Sequence, residues 1–417
     1  MRKIWWNGLL IVSGLLFSLP AFSQQTWQRT YGWATDDFGY SVRQTRDGGY
    51  IVAGTSYFWG LHYLVYLIKT NARGDTLWTR NYGGAGDDEG FSVQQTSEGG
   101  YIVVGTTNSF GNGSYDVYLI KTNASGDTLL TRTFGGGGDD VGYSVQQTTD
   151  GGYIVSGWTN SFGNGSYDVY LIKTNASGDT LWTKTYGGAN GDYAFSVRQT
   201  QDGGYIVAGS TTSFGNGYLD VYLIKTNGRG DALWAKTYGG TNGDGGYSVQ
   251  QTQDRGFIIA GATNSFENSF QVYLIKTNAH GDTLWTRTYG GADFDWGLSV
   301  QQIQDGGFII AGYTDTNENG YQVYLIKTEK NGSSGVEHNS SSRIPPYASH
   351  LKVSPNPFTS FASVPGHASE HFTLYDISGR KVGVYKGDRI GEGLSAGVYF
   401  LRPEGKDDKP LRVVKVR

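Results

Sequence analysis

An aspartate stands four residues ahead of a serine at six places in this chain: Asp37, Asp88, Asp140, Asp192, Asp244 and Asp295. Carboxylates recurring at one register could ring a channel mouth and hold Ca²⁺ or a polyhydroxy ligand. They could equally cap the tight connectors they sit in, each accepting backbone N–H bonds from its own neighbourhood. The local reading is preferred, because such turns need no distant partner and no copy has the alternating Asp/Asn spacing of a calcium loop. Calcium stays as the alternative, and no other cofactor is expected. Acid–base hydrolysis needs two carboxyls in different surroundings, whereas a near-perfect repeat gives every Asp the same ones. The histidines (His62, His280, His338, His350, His367 and His371) form no ligand spacing. There is no cysteine, no Gly-x-Ser-x-Gly nucleophile elbow and no phosphate-binding glycine loop ahead of a helix. No catalytic residue and no metal ligand is assigned.

The elements that position these residues repeat. Leu-Ile-Lys-Thr recurs from Leu67, Leu119, Leu171, Leu223, Leu274 and Leu325, at steps of 52, 52, 52, 51 and 51. Such a period signals a repeat architecture. Each unit holds four runs rich in Val, Ile, Tyr, Thr and Trp; in the third unit they fall near 142–148, 152–159, 167–175 and 180–186. Asp150-Gly151-Gly152 joins the first two as a hairpin, and Asn175-Ala176-Ser177-Gly178-Asp179 joins the last two. No helical period and no crossover long enough for a βαβ unit intervenes. Four-stranded antiparallel modules repeated radially are propeller blades, so the expected fold is all-β, a six-bladed β-propeller over residues 24–330.

The register of the repeat suggests how a ring would close. Fourth strands carry Trp78, Leu130, Trp182, Trp234 and Trp285, but the sixth unit ends without one, and the missing copy, Thr26-Trp27-Gln28-Arg29-Thr30-Tyr31-Gly32, stands at the N-terminus. That strand is expected to complete the last blade. The Ser-Val-Gln-Gln-Thr strands suit the wall of a watery channel. The recurring cations Arg80, Arg132, Lys184, Lys236 and Arg287 suit an outer edge guarded against aggregation.

Distinct function belongs where the repeat breaks. The loop between second and third strands usually reads Asn-Ser-Phe-Gly-Asn-Gly, but the first unit has Tyr57-Phe58-Trp59-Gly60-Leu61-His62-Tyr63. Trp33 replaces a glycine in the connector entering the first unit, and Phe294 and Trp296 mark the connector entering the sixth. In a closed ring these units are neighbours. Trp33, Trp59, Tyr63 and Trp296 then form an aromatic platform for sugar rings or a protein partner, or else extra packing around the closure seam.

The unit resembles the tryptophan-bearing repeats of quinoprotein-type propellers. It is closer to the Asp-Gly-Gly-Tyr-Ile-Val, Tyr-Leu-Ile-Lys-Thr and Gly-Asp-Thr-Leu-Trp repeats of secreted bacterial proteins, over residues 26–330. After a Ser-, Asn- and Pro-rich linker at 331–350, three motifs follow in order: Ser354-Pro355-Asn356-Pro357-Phe358; Phe372-Thr373-Leu374-Tyr375-Asp376-Ile377-Ser378-Gly379-Arg380-Lys381-Val382; and Leu394-Ser395-Ala396-Gly397-Val398-Tyr399-Phe400-Leu401. Residues 351–417 thereby resemble the type A C-terminal sorting domain of the type IX secretion system. The resemblance implies passage across the outer membrane, with release or tethering at the surface of a Gram-negative cell. Read from its residues alone, the segment has strands and glycine turns suited to a small Ig-like β-sandwich.

The N-terminus agrees with export. Arg2 and Lys3, an apolar run over 8–19 and Ala21-Phe22-Ser23 read as a signal peptide over 1–23, too short for a membrane anchor. With 65 Gly, 30 Tyr and 11 Trp, many short strands and tight turns are expected rather than collagen or disorder. A net charge of −4 argues against nucleic acid. The sequence thus points to an exported, non-enzymatic propeller binding protein or carbohydrate, with a glycosidase-like secreted hydrolase and a structural surface-layer component as alternatives.

Overall fold

The computed structural model describes residues 27–32, 36–58, 62–267, 269–291, 294–316, 320–334, 358–364, 368–376, 380–403 and 411–415. They divide into two units, one ending at Gly335 and one running from Val336 to Arg417. The expected signal peptide, Trp33, Trp59 and most of the 331–350 linker lie outside the described residues. Every regular element among those described is a strand.

In the first unit the strands of each repeat pair antiparallel in chain order, giving five four-stranded sheets and one three-stranded sheet. The third sheet is typical: Asp140–Gln147, Tyr153–Thr159, Asp168–Thr174 and Thr180–Tyr186. Its middle strands are continuous apolar runs because both faces are covered. Successive side chains of a strand point to opposite faces. Tyr153 and Val155 therefore pack on Ile102, Val104 and Leu119 of the second sheet, while Ile154 packs on Val197, Tyr205 and Val207 of the fourth. Each such Ile or Leu contributes roughly 1.5–3 kcal/mol by leaving water. The fourth-strand tryptophans complete these interfaces: Trp78, Trp182 and Trp234 meet Tyr101, Tyr205 and Phe257 edge-on at 5.8, 5.9 and 5.9 Å.

The sheets fan out from their first strands, which are bonded to one another. Ser41, Ser92, Ser144, Ser196 and Ser248 Oγ each accept the N–H of the next sheet's valine. Gln94, Gln146 and Gln250 Oε1 accept the N–H of Gln147, Gln199 and Gln302, each at 2.7 Å. The Ser-Val-Gln-Gln-Thr motif, expected to line water, is thus mainly a set of inter-sheet staples. The outer cations are likewise committed: Arg80, Arg132 and Lys184 reach Asp127, Asp179 and Asp231 of the following sheet at 3.6, 3.0 and 3.1 Å.

The two end sheets depart from the pattern. Tyr50–Phe58 pairs with His62–Thr70 through Phe58↔His62, so the expected long loop at 57–63 is mostly strand. Phe294 and Trp296 also lie in a strand, Phe294–Gln302, and not in a connector. In the sixth sheet Gly320–Thr328 pairs, among the described residues, with Phe308–Thr316 alone. Its Leu325 is 63% exposed, whereas the equivalent Leu119, Leu171 and Leu223 are fully buried. Residues 27–32 form no strand, yet they contact the first sheet as a fourth strand would. Trp27 meets Tyr50 edge-on at 5.6 Å, Tyr31 Oη donates to Gly74 O at 2.7 Å, and Arg29 faces Asp75 at 3.7 Å. The strand Thr76–Tyr82 makes the same set on the second sheet, with Tyr82 Oη donating to Gly126 O at 2.6 Å.

The turn Glu329–Ser333 closes a hairpin-type bond, and Gly332 O accepts the Tyr289 hydroxyl of the fifth sheet. The first unit therefore extends past Lys330, where the linker was expected to begin. In the second unit, His371–Asp376, Lys381–Lys386, Gly397–Pro403 and Leu411–Lys415 form one four-stranded sheet. Its core joins Phe372, Leu374, Leu401 and Val413 to Phe358, Ala362 and Ile390. A second sheet, as a sandwich would have, is not among the described residues.

Candidate functional site

Each first strand carries a β-bulge, and the extra residue is aromatic in five sheets: Tyr40, Phe91, Tyr143, Phe195 and Tyr247. A bulge re-aims the side chain it releases from the ladder. The pairing around it demands glycine on the opposite strand. A Cβ on Gly157 would stand 1.7 Å from Val141 O, and on Gly209 1.7 Å from Tyr193 O. The released rings line up from sheet to sheet, with Tyr40–Phe91, Phe91–Tyr143, Tyr143–Phe195 and Phe195–Tyr247 centroids at 5.3, 5.1, 5.3 and 5.3 Å.

Trp296 continues this row. It stacks on Tyr247 at 5.3 Å and on Tyr313 at 6.0 Å, and also meets Phe270 at 5.3 Å. Tyr63 packs on Tyr57 at 4.9 Å and takes its backbone N–H to Asp87 Oδ1 at 2.9 Å. Tyr63 is also close enough to Tyr40 to help raise its phenol pKa, after burial and the Glu89 carboxylate. Of the four platform residues, Trp296 joins the aromatic row and Tyr63 packs on Tyr57. Trp33 and Trp59 are outside the described residues. The row is not legible in the sequence, because its rings occupy regular repeat positions and only the bulges aim them together.

The six aspartates serve the connectors. Asp88, Asp140, Asp192, Asp244 and Asp295 accept the N–H of Gly84, Gly136, Gly188, Gly240 and Gly291 at 2.8–3.0 Å. Ser109, Ser161, Ser213 and Ser265 Oγ donate to four of them at 2.6–2.7 Å. Asp37 stands against Gly32 at the equivalent place. Their surroundings are not all equal, contrary to the expectation from the repeat. Asp116, Asp168 and Asp220, on third strands, share a glycine with Asp140, Asp192 and Asp244: both carboxylates of each pair lie within 2.6 Å of a Cβ placed on Gly135, Gly187 or Gly239. The register puts Leu64, Gln271 and Gln322 at this position in the other sheets. Burial, and then the facing Asp192 carboxylate, raise Asp168 against the lowering pull of the Gly165 and Asn164 N–H groups. These pairs are fully buried, so no substrate reaches them. No three His, Asp or Glu side chains converge among the described residues.

The lysine of Leu-Ile-Lys-Thr ties the inner turn to the third strand. Lys69, Lys173, Lys225 and Lys276 are buried and pair with Asp47, Asp150, Asp202 and Asp254 at 2.8–2.9 Å. Hydrogen bonds from Thr45 and Lys69 hold Asp47 down at about 2. Lys327 of the sixth sheet is 65% exposed, beside an open cleft of about 670 Å³ lined by Asp305, Lys327, Glu329, Lys330 and Asn331.

No family model matches the chain. Regulatory protein FlaEY of Caulobacter vibrioides is 25% identical over 255 residues, covering 49% of this chain and 26% of that protein. The chain therefore spans about a quarter of that relative's length. Among solved structures, Sqt1 from Chaetomium thermophilum is similar over 92% of this chain and 97% of its own, at 10% identity and a TM-score of 0.43. The Pan2 WD40 domain of Neurospora crassa matches 71% of this chain and 97% of its own, at 10% identity and a TM-score of 0.38. The extracellular domain of a hybrid two-component protein from B. thetaiotaomicron matches 92% and 59%, at 11% identity and a TM-score of 0.33. At these scores the architecture rests on the strand pairing and inter-sheet contacts of this chain, an all-β repeat of four-stranded sheets fanned around their first strands.

Proposed function

We propose that the first unit is a six-bladed propeller, closed by pairing of residues 26–32 with Gly320–Thr328, that binds carbohydrate or protein outside the cell and performs no catalysis. The observation that carries the binding role is the row from Tyr40 to Trp296, five bulge-aimed rings continued by a tryptophan. Ring faces in a row suit the apolar faces of sugars or an aromatic-rich protein segment. Closure would bring Trp296 to Tyr40 and complete the row. It would also give Val42 N–H the Ser299 acceptor that every other neighbour pair of inner strands uses, and Gln44 N–H the Gln301 acceptor that three of those five pairs use. The motifs of residues 351–417 support delivery through the type IX secretion machinery, with the protein released or held at the outer-membrane surface.

Glycan-array and cell-binding measurements on the mature chain test the binding role. Tyr143→Ala, Trp59→Ala and Trp296→Ala should abolish binding with little change in melting; unchanged binding in all three would refute it. A second reading follows from the exposed strand Gly320–Thr328 and its apolar Tyr321, Val323 and Leu325. If residues 26–32 of a neighbouring copy paired there, the protein would polymerise head to tail as a surface-layer component. Sedimentation separates the two readings: a concentration-independent monomer supports closure, and open-ended growth supports the layer.

A further inference from the structure

In the second, third and fourth sheets one loop sequence joins the second and third strands: Asn108-Ser109-Phe110-Gly111-Asn112-Gly113, Asn160-Ser161-Phe162-Gly163-Asn164-Gly165 and Thr212-Ser213-Phe214-Gly215-Asn216-Gly217. Each loop is held in one shape by its own sheet. Thr107, Thr159 and Thr211 Oγ1 accept the N–H of Phe110, Phe162 and Phe214 at 3.3, 3.2 and 3.1 Å. Ser109, Ser161 and Ser213 Oγ accept the N–H of Gly86, Gly138 and Asn190 in the adjoining connector, at 2.9, 2.9 and 3.0 Å. The Asp116, Asp168 and Asp220 carboxylates accept the N–H of Asn112, Asn164 and Gly217 at 2.9, 3.0 and 2.9 Å. Between these anchors Gly111, Gly163 and Gly215 turn the chain at φ 106°, 106° and 102°, open to glycine at no steric cost.

The anchors present a ring that stays half in water. Phe110, Phe162 and Phe214 lean on the buried Tyr118, Tyr170 and Tyr222 at 5.7, 5.8 and 5.7 Å, yet remain 46, 46 and 44% exposed. Their tips rest on connector glycines: a Cβ on Gly84, Gly136 or Gly188 would stand 3.1, 3.1 or 3.2 Å from the ring's Cζ. Two of those glycines also join one loop to the next. A Cβ on Gly113 would stand 3.0 Å from Gly136 O, and a Cβ on Gly165 2.5 Å from Gly188 O. The first loop therefore abuts the glycine that bears Phe162, and the second abuts the glycine that bears Phe214. The three rings follow one another along a continuous rim, built from other residues than the bulge-aimed row.

The composition of the rim selects its ligand. Residues 108–114, 160–166 and 212–217, with the connectors 83–86, 135–138 and 187–190, carry no charged side chain. Each exposed ring stands two residues from an exposed amide, Asn112, Asn164 or Asn216, which offers donors and an acceptor together. An aromatic face beside an amide suits the C–H face and the hydroxyls of a neutral sugar. Three copies of that pair on one rim suit a ligand that itself repeats. In the fifth sheet Glu267 follows Phe266, and the uncharged run ends.

We infer that Phe110, Phe162 and Phe214, with Asn112, Asn164 and Asn216, form a multivalent site for an uncharged polysaccharide laid along the rim. The inference rests on the extracellular binding role proposed above and names its ligand class, but it does not need the row from Tyr40 to Trp296. The anchors fix the loops before the ligand arrives, so weak contacts at each ring add up along one chain.

The test runs the full chain through affinity gels containing dextran, laminarin or galactomannan, with anionic alginate as the charged counterpart. Wild type should be retarded by at least one neutral polymer, and a trisaccharide fragment of it should compete about 100-fold more weakly than the polymer. Phe110→Ser, Phe162→Ser and Phe214→Ser should each weaken retention about threefold to tenfold, and the triple variant about 100-fold or more. Phe110→Tyr, Phe162→Tyr and Phe214→Tyr together keep the rings and should keep the binding, which separates lost contacts from lost folding. Asn112→Ala, Asn164→Ala and Asn216→Ala together should weaken retention at unchanged melting. No retention by any of the three neutral polymers, stronger retention by alginate than by all of them, or equal retention of the triple serine variant overturns the site. Loss of retention in Tyr143→Ala with the triple serine variant unchanged keeps the row and sinks the rim; the reverse keeps the rim and sinks the row.

Discussion

At the residue scale, repetition exposes the exceptions. The inner turns place a residue at positive φ, a glycine at Gly48, Gly151 and Gly203, but Arg255 occupies it in the fifth sheet at φ 65°. A left-handed conformation costs a non-glycine residue about 1 kcal/mol. Arg255→Gly should therefore stabilise by roughly that amount, read as a higher denaturant midpoint at unchanged m-value. Carboxylates give a second test. Asp168 is raised, so the folded state binds more protons than the unfolded one between the ordinary carboxylate value and its own. Its contribution to stability consequently falls as pH rises through that window. Asp168→Asn keeps an oxygen for the Asn164 and Gly165 N–H groups and removes the charge. It should melt higher than wild type at pH 7 and equal to it at pH 3. Asp47, Asp150, Asp202 and Asp254 are lowered and act with the opposite sign: their stabilisation is present at neutral pH and lost as pH falls through their depressed values.

At the scale of elements, residues 27–32 make the contacts of a fourth strand on one side only. Tyr31→Phe and Tyr82→Phe each remove a hydroxyl bond to the glycine carbonyl of the next hairpin. Each should cost about 0.5–1.5 kcal/mol, and similar losses in the two variants would show that the N-terminal segment is as firmly seated as an internal strand. Deleting residues 24–32 should lower the melting temperature far more than Tyr31→Phe does. Truncation without effect would mean the segment completes no sheet. The bulge makes another element-scale prediction. Gly157→Ala sets a Cβ against Val141 O and cannot relax without breaking the strand pair. A loss of about 3 kcal/mol, at the top of the overpacking range, is expected in equilibrium unfolding.

For the whole molecule, hydrogen exchange discriminates closure from an open stack. In a ring the amides of Gly320–Thr328 gain a second partner strand and should exchange as slowly as those of Asp168–Thr174. In an open stack they exchange with the frayed edge. Removal of residues 351–417 should leave the melting of the first unit unchanged, since the core of each unit is formed from its own residues. In a cell with the type IX machinery the same truncation should trap the protein in the periplasm, measured by fractionation.

The strand-and-turn order of each repeat and the four-stranded sheets were legible in the sequence, whereas residues 27–32, expected as a strand of the last blade, form no strand and contact the first sheet. The strand order and the sheets follow from local chemistry: two-sided apolar runs and Asp-Gly-Gly turns. What tertiary structure alone decided lies between repeats. Ser-Val-Gln-Gln-Thr looks like a polar lining until the neighbouring strand supplies the N–H groups it accepts. The Asp140 environment looks like that of Asp88 until Asp116 arrives from the adjacent sheet. The aromatic row depends on bulges and on which sheet neighbours which, so no spacing along the chain encodes it. A side chain's type is written locally, but its partner is chosen by which sheet packs against its own.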